Sequence, residues 1–353
     1  MSERLEARYP MLALKVYRFE RRSAGLQACR AGGAEAPHYA MLRCAVRIAV
    51  VGAGGVGGYF GARLAVAGAE VAFVARGAHL EALRTKGLTV VSPLGDFHLE
   101  RVNATGDPAS IGPVDVVLFT VKLYDTVAAC ELLDPLIGPD TVVVTLQNGV
   151  ESVGRLTTAI GPSHVAGGVA HVFAVISEPG VIRHTALDLI IVGELDGAKT
   201  PRLEKLQALA REAGFECRLS EQIEMEIWLK FVRLSAFSGM TAVTRSPLGI
   251  IRDDPDLLAM LQAAVLEGMA VAHAKQIQFP PNALADMFAH MATMPPQSKS
   301  SMLEDLERGR PLELPWLSGA VLRLGRELGV ETPIHRFIAT VLSPLANGSA
   351  PRA

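Results

Sequence analysis

Cysteine is scarce: only Cys29, Cys44, Cys130 and Cys217 occur among 353 residues, and no two form a CxxC pair. Such scattering offers neither a zinc site nor a disulfide framework, and it suits a reduced, cytoplasmic setting. Charge of one sign is missing too. Lys and Arg number 34 against 36 Asp and Glu, a formal net charge of −2, with no long basic or acidic run. That balance speaks against nucleic acid or an anionic membrane as partner. Apolar runs are short and broken by glycine or charge, so no segment reads as a bilayer span. No His/Cys cluster asks for a metal. What remains is bulk: half of the residues are hydrophobic and a fifth charged. This is the composition of a globular chain, and its length suggests about two domains.

Residues 1–45 stand apart. They are rich in Arg and Ala and show no period, so a loosely ordered extension is expected. Met11–Val16 is too short for the core of a signal peptide and contains Lys15. Met41, just before the first strand, offers a second translation start; an organelle-targeting arm is the other reading. From Val46 the chain alternates. Strands are expected at Val46–Val51, Glu70–Ala75, Val114–Val121 and Thr141–Leu146. Helices are expected at Gly57–Ala67, Ala78–Lys86 and Tyr124–Leu136, with a hairpin over Leu88–Leu99. Alternation of this kind predicts an α/β fold: a Rossmann-type parallel sheet covered on both faces. Beyond residue 217 the pattern turns helical, with helices at Glu221–Thr241, Pro255–Lys275, Pro281–Met294, Ser300–Arg308 and Trp316–Leu328. The expected division is an extension over 1–45, a sheet domain over 46–217, an all-helical domain over 218–345 and a frayed tail over 346–353.

The stretch "GAGGVG" (Gly52, Ala53, Gly54, Gly55, Val56, Gly57) joins the first strand to the first helix. In this GxGxxG spacing Gly52 permits the tight turn, Gly54 lets backbone approach a pyrophosphate, and Gly57 lets helix pack on strand. Helix-end N–H groups then face the phosphates. Arg76 closes the second strand, 19 residues beyond Gly57, where an acid would accept from the adenine ribose. A guanidinium cannot accept, but it pairs with a 2′-phosphate, which favours NADP(H) over NAD. Two further strands end in Lys122 and Asn148, on the side of the sheet where ligands bind.

In "SEQIEMEIWLKFVRLSAFSGMTA", Ile223, Ile227, Lys230, Leu234 and Phe237 recur at spacings of four and three, one face of a helix. Lys230 therefore takes a slot meant for an apolar residue. It either snorkels to water or faces a cleft, where desolvation makes it a better proton donor. Ser300 or Ser301 could cap the following helix, and Glu313 precedes another, where the helix dipole favours an acid. His171 and His184 lie in strand-like segments and read as structural.

Taken together, "GAGGVG", "VAR", "TVKLYD", "TLQNGV", "EIWLKF" and "SSMLEDLERGRPLELPWLSG" make the chain resemble the ketopantoate reductase (2-dehydropantoate 2-reductase) family from about Val46 to about Pro344. The resemblance implies a Rossmann domain followed by a helical domain, with substrate between them; a homodimer is a separate expectation. It makes Lys230 the general acid, gives Lys122 and Asn148 to cofactor and substrate, Ser301 to the substrate carboxylate, and Glu313 to the ternary complex. Leu234 and Ser238 stand where family members commonly carry substrate-contacting asparagines. Leucine cannot hydrogen-bond a substrate, so a bulkier or less polar 2-oxo acid or ketone stands beside 2-dehydropantoate. A non-catalytic NADP-binding regulator is a third reading.

Overall fold

The computed structural model describes residues 46–348; the expectations for residues 1–45, Cys29 and Cys44 among them, lie outside it. The first half is built from β1 (Arg47–Val51), α1 (Gly55–Val66), β2 (Glu70–Val74), α2 (Gly77–Lys86), β3 (Leu88–Val91), β4 (Phe97–Leu99), β5 (Asn103–Thr105), β6 (Val116–Phe119), α3 (Thr126–Cys130), β7 (Val142–Thr145) and α4 (Ser152–Ile160). It continues through β8 (Val165–Glu178), β9 (Val181–Glu194), α5 (Pro201–Glu212) and β10 (Glu216–Leu219). Only helices follow: α6 (Ile223–Thr244), α7 (Leu248–Asp253), α8 (Pro255–Ala274), α9 (Ala283–Thr293), α10 (Ser301–Glu307), α11 (Ser318–Leu328) and α12 (Pro333–Leu342), besides short 3₁₀ turns.

All ten strands belong to one sheet, ordered β4-β3-β9-β8-β7-β6-β1-β2-β5, with β10 beside β9. Its centre is parallel, as alternation predicts: β1 pairs with β2 and β6, and β6 with β7, all parallel. Each face is covered. Ile48, Val50, Phe73 and Leu118 pack against Tyr59, Phe60 and Leu64 of α1 and Leu206 of α5. Ala49, Val51, Val117 and Phe119 pack against Ala129, Leu133 and Leu156. Burial on both faces explains why these strands read as unbroken apolar runs rather than alternating ones.

The sheet is nevertheless mixed. The expected hairpin exists as antiparallel β3–β4. A second, longer hairpin was not anticipated: β8 and β9 run antiparallel for 14 residues each, turning at Pro179-Gly180, where Gly180 has φ +84°. The strand-like segments around His171 and His184 fall in β8 and β9; Gly167 and Gly168 interrupt β8's pattern, so its length and its pairing were not expected. The expected helix over Tyr124–Leu136 is broken as well. Five residues of α3 lie between 3₁₀ turns at Leu123–Asp125 and Asp134–Leu136, since Pro135 has no N–H with which to continue a helix.

The helical half has its own core, in which Trp228, Phe231 and Met240 of α6 meet Leu261 and Val265 of α8 and Ile338 of α12. By length and composition α8 could span a bilayer, contrary to the expectation that no segment would; here Leu261, Ala264, Val265 and Val271 are packed in that core. The chain beyond residue 345 is not wholly frayed, because Ala346 O accepts from Leu312 N at 2.8 Å. Residues 349–353 lie outside the description.

The two halves meet along α6. A Cβ on Gly167 would lie 2.8 Å from Ile223 and 3.1 Å from Ile227, and one on Gly193 would lie 2.9 Å from Ile223. The glycines of β8 and β9 thus let the first turns of α6 sit directly on the hairpin, which carries the next residue of that stripe, Lys230, to the sheet.

Gly57 gives a direct test of the helix–strand contact. A Cβ there would stand 2.3 Å from Thr120 Oγ1 and 2.5 Å from Gly52 O. Gly57→Ala is expected to destabilise the protein by about 1–3 kcal/mol through overpacking. Gly154→Ala, on α4 where a Cβ meets nothing within 4 Å, should be neutral or gain up to about 1 kcal/mol. Paired urea titrations check both; equal midpoints would refute the contact.

Candidate active site

A cleft of about 930 Å³ runs from the glycine turn to the helical half. Its wall includes Gly52, Ala53, Gly54, Gly55, Val56, Arg76, Lys122, Asn148, Lys230, Leu234, Ser301 and Glu313, so most residues singled out in the sequence converge on one cavity. Gly57 lies beneath it. Ser238 is a correction: it is fully buried in α6, off the cleft wall, and its Oγ has no hydrogen-bond partner. Two helical turns beyond Lys230, it has rotated into the helix-packing side.

At the glycine turn each position has its own geometry. Gly52 adopts φ +99°, and a Cβ there would stand 2.7 Å from Val121 N. Its N–H donates to Val74 O at 3.1 Å, while Thr120 Oγ1 donates to its carbonyl at 2.8 Å. At Gly54, by contrast, a Cβ would meet nothing nearer than 4.0 Å. The wall is therefore open where a ligand's phosphates would approach, just before the N-terminus of α1. Arg76 lies at the mouth, its side chain 80% exposed and paired with Asp125 at 2.5 Å. A solvated pair of this kind is worth only about 0–1 kcal/mol, so a phosphate can compete for the guanidinium.

Glu313 is the hub of the middle of the cleft. Its buried carboxylate accepts from Leu123 N at 3.1 Å and from Asn148 Nδ2 at 3.3 Å, and it stands 3.9 Å from Lys122 Nζ. Lys122 also donates to Asp305 at 2.9 Å. Burial alone would lower the Lys122 ammonium; Glu313 and Asp305 reverse that and raise it. Two strand ends of the sheet half are thus tied to two acids of the helical half. Asp305 was not singled out in the sequence, where it lies within the helix expected over Ser300–Arg308.

Lys230 is half-buried and donates to Ala170 O of β8 at 2.7 Å. Burial pushes its ammonium down to about 8; the nearby Arg233 guanidinium adds to this and Glu313 opposes it. Leu234, Phe237, Met291 and Met294 line the cleft beyond. Ser300, not Ser301, caps α10: its Oγ accepts from Leu303 N at 3.1 Å. That leaves the Ser301 side chain exposed on the cleft wall.

Of the two histidines, His184 is structural, stacked on Tyr59 with centroids 4.2 Å apart and bonded to Ser92 at 2.8 Å. His171 lines the cleft. Burial, Lys230 and Arg233 hold it down to about 3, so it is neutral near pH 7. Among the described residues no group of three or more His, Cys, Asp or Glu could hold a metal, and Cys130 and Cys217 are free thiols.

Residues 48–197 match the family profile of ketopantoate reductase PanE/ApbA, and residues 222–346 match its C-terminal counterpart. The chain belongs to the ketopantoate reductase family. A 2-dehydropantoate 2-reductase of Mesorhizobium japonicum is 32% identical over 85% of this chain and 98% of its own length. One from Archaeoglobus fulgidus is 32% identical over 86% and 98%. Among solved structures, 2-dehydropantoate 2-reductase from Geobacter metallireducens GS-15 superposes with a TM-score of 0.80 at 34% identity, covering 85% of this chain and 99% of that one. A ternary complex of D-mandelate dehydrogenase shares the fold, with a TM-score of 0.79 at 21% identity over 85% of this chain and 98% of that one. The protein is an oxidoreductase of this family.

Hydrogen bonds to a charged group contribute about 1.5–3 kcal/mol each. Glu313→Ala, which strands Leu123 N and Asn148, is therefore expected to lower stability by about 2–3 kcal/mol. Glu313→Gln, which keeps an acceptor, should lose less. Urea unfolding followed by tryptophan fluorescence measures both; midpoints equal to wild type would show that the carboxylate does not hold the halves together.

Proposed function

We propose that the protein is an NADPH-dependent 2-oxo acid reductase in which Lys230 is the general acid. The observation that carries this reading is a half-buried ammonium with a depressed pKa, brought by the helical half to the cleft that begins at the glycine turn. The fit to a dinucleotide rests on the open space over Gly54 and the free N-terminus of α1 behind it. Gly52, Ala53, Gly54, Gly55 and Val56 would hold its pyrophosphate, Arg76 a 2′-phosphate, and Lys122, Asn148 and Glu313 the far half. When bound, a reduced nicotinamide supplies the hydride to the ketone carbon.

The chain's own residues do the rest. Negative charge grows on the ketone oxygen, and the Lys230 ammonium stabilises it and then transfers its proton there. Asn148 offers a donor and an acceptor that do not titrate, and Ser301 offers a hydroxyl for orienting the substrate. The first candidate substrate is 2-dehydropantoate, on which relatives such as the Mesorhizobium japonicum enzyme are named to act. A second reading has its own support. Leu234 lines the cleft and Ser238 does not, and the neighbouring Phe237, Met291 and Met294 are apolar, which favours a 2-oxo acid with a bulkier, less polar substituent. A cytoplasmic location, a homodimer and a division into a sheet domain and a helical domain accompany the proposal; β10, the last strand, runs to Leu219, which moves the division just beyond the expected 217–218.

Lys230→Ala should lower kcat by about 10²–10⁴-fold, the usual worth of a general acid, while NADPH titration shows unchanged affinity. A variant turning over its best 2-oxo acid near the wild-type rate would defeat the assignment.

The pH dependence follows from the same amine. Reduction needs the ammonium, so its rate should be level below about pH 8 and fall as pH rises through that value. Oxidation of the product hydroxy acid needs the free amine and should rise over the same range. A reduction profile level to pH 10 would assign the proton to another group.

A further inference from the structure

Arg233 lies three residues beyond Lys230 on α6, half-buried in the wall of the same cleft. Its guanidinium has no ion pair and no hydrogen bond among the described residues. Other cations of the wall are engaged: Lys122 with Asp305 at 2.9 Å, Arg76 with Asp125 at 2.5 Å, Lys299 with Glu307 at 2.7 Å, and Lys230 with the Ala170 carbonyl at 2.7 Å. Arg183 of β9 is unpaired too, but it is exposed to water.

The groups felt around Arg233 are all bases. They are Lys230 on its own helix, His171 on β8 and His290 on α9, each pushed down in part by the arginine's charge. Burial likewise lowers Arg233 from the usual arginine range. Desolvating a guanidinium without an acceptor is costly, and an anion from outside relieves that cost. Its planar fork matches the two oxygens of a carboxylate.

We propose that Arg233 is the anion anchor of the cleft, taking the carboxylate of the 2-oxo acid in a bidentate pair and so turning the ketone oxygen towards Lys230. Residues three apart on a helix have Cβ atoms about 5–6 Å apart. In a 2-oxo acid the carboxylate is bonded directly to the ketone carbon, so neighbouring cations can take the two groups. The anchor also accounts for Leu234: the polar contact has moved to the preceding residue. This inference rests on the reductase reading for its substrate class.

Oxamate, a non-reducible mimic of the 2-oxo acid head, provides a test independent of turnover. Calorimetric titration into the full chain loaded with NADP⁺ should show binding to wild type, a loss of 30-fold or more in Arg233→Met and an intermediate loss in Arg233→Lys. NADP⁺ affinity should be unchanged, and the melting temperature of Arg233→Met should not fall below that of wild type, since the variant removes an unpaired desolvated charge. In steady state, Arg233→Met should raise KM for the best 2-oxo acid by a similar factor, lower kcat less, and abolish the preference for the acid over its methyl ester. Absence of oxamate binding to wild type, equal oxamate affinity in Arg233→Met, or loss of NADP⁺ affinity instead would each overturn the anchor. The two readings fail separately. Oxamate binding that depends on Arg233, with no turnover of any 2-oxo acid, would end the reductase reading and leave the anchor; turnover indifferent to Arg233→Met would do the reverse.

Discussion

A lysine ammonium held out of bulk water against a strand carbonyl is the constraint on which the arrangement turns. Lys230 Nζ reaches Ala170 O because Ile223 and Ile227 sit directly on Gly167 and Gly193, which present no side chain of their own to the helix. A larger residue at either glycine would lift α6 and withdraw the amine. Sheet, hairpin and helix are therefore fixed together, and the amine's depressed pKa is a consequence of that packing.

Charge is divided along the cleft. Around Lys122 the acids Asp305 and Glu313 are present and engaged, and they tie the strand ends to the helical half. Around Lys230 and Arg233 no carboxylate comes within ion-pair reach among the described residues. One region is neutralised from within; the other keeps a positive field in a partly dry setting, where it acts strongly on an anion. In the proposed function the first region seats the cofactor's far half and the second the acid to be reduced.

Much of this was legible in the sequence because it is local. The glycine turn declares itself by spacing, and Gly52, Gly54 and Gly57 show the strained, open and close-packed environments their positions imply. Lys230 was visible as a cation in an apolar stripe. What escaped notice depends on partners distant in the chain. The β8–β9 hairpin lacks a clear period because its glycines serve Ile223 and Ile227 of α6, which follow only after β10. Asp305 acquires its meaning from Lys122, 183 residues away. Ser238 was named as substrate-facing by the resemblance alone, yet the helix rotates it into the core. Arg233 was present in the quoted stretch, but helix spacing shows proximity to Lys230 without showing that no acid answers its charge.

The family fold thus holds the Lys230 amine between two cored halves, and in the proposed function the apolar residues beyond it leave substrate choice to a few side chains. The central claim is that packing, not ligand, lowers the Lys230 amine. The most direct measurement is an NMR titration of ¹³Cε-labelled lysine in the ligand-free protein, with Lys230→Arg to assign the resonance. The account predicts a midpoint of about 8. A midpoint near 10.5, the value of an ordinary solvated lysine, would contradict it.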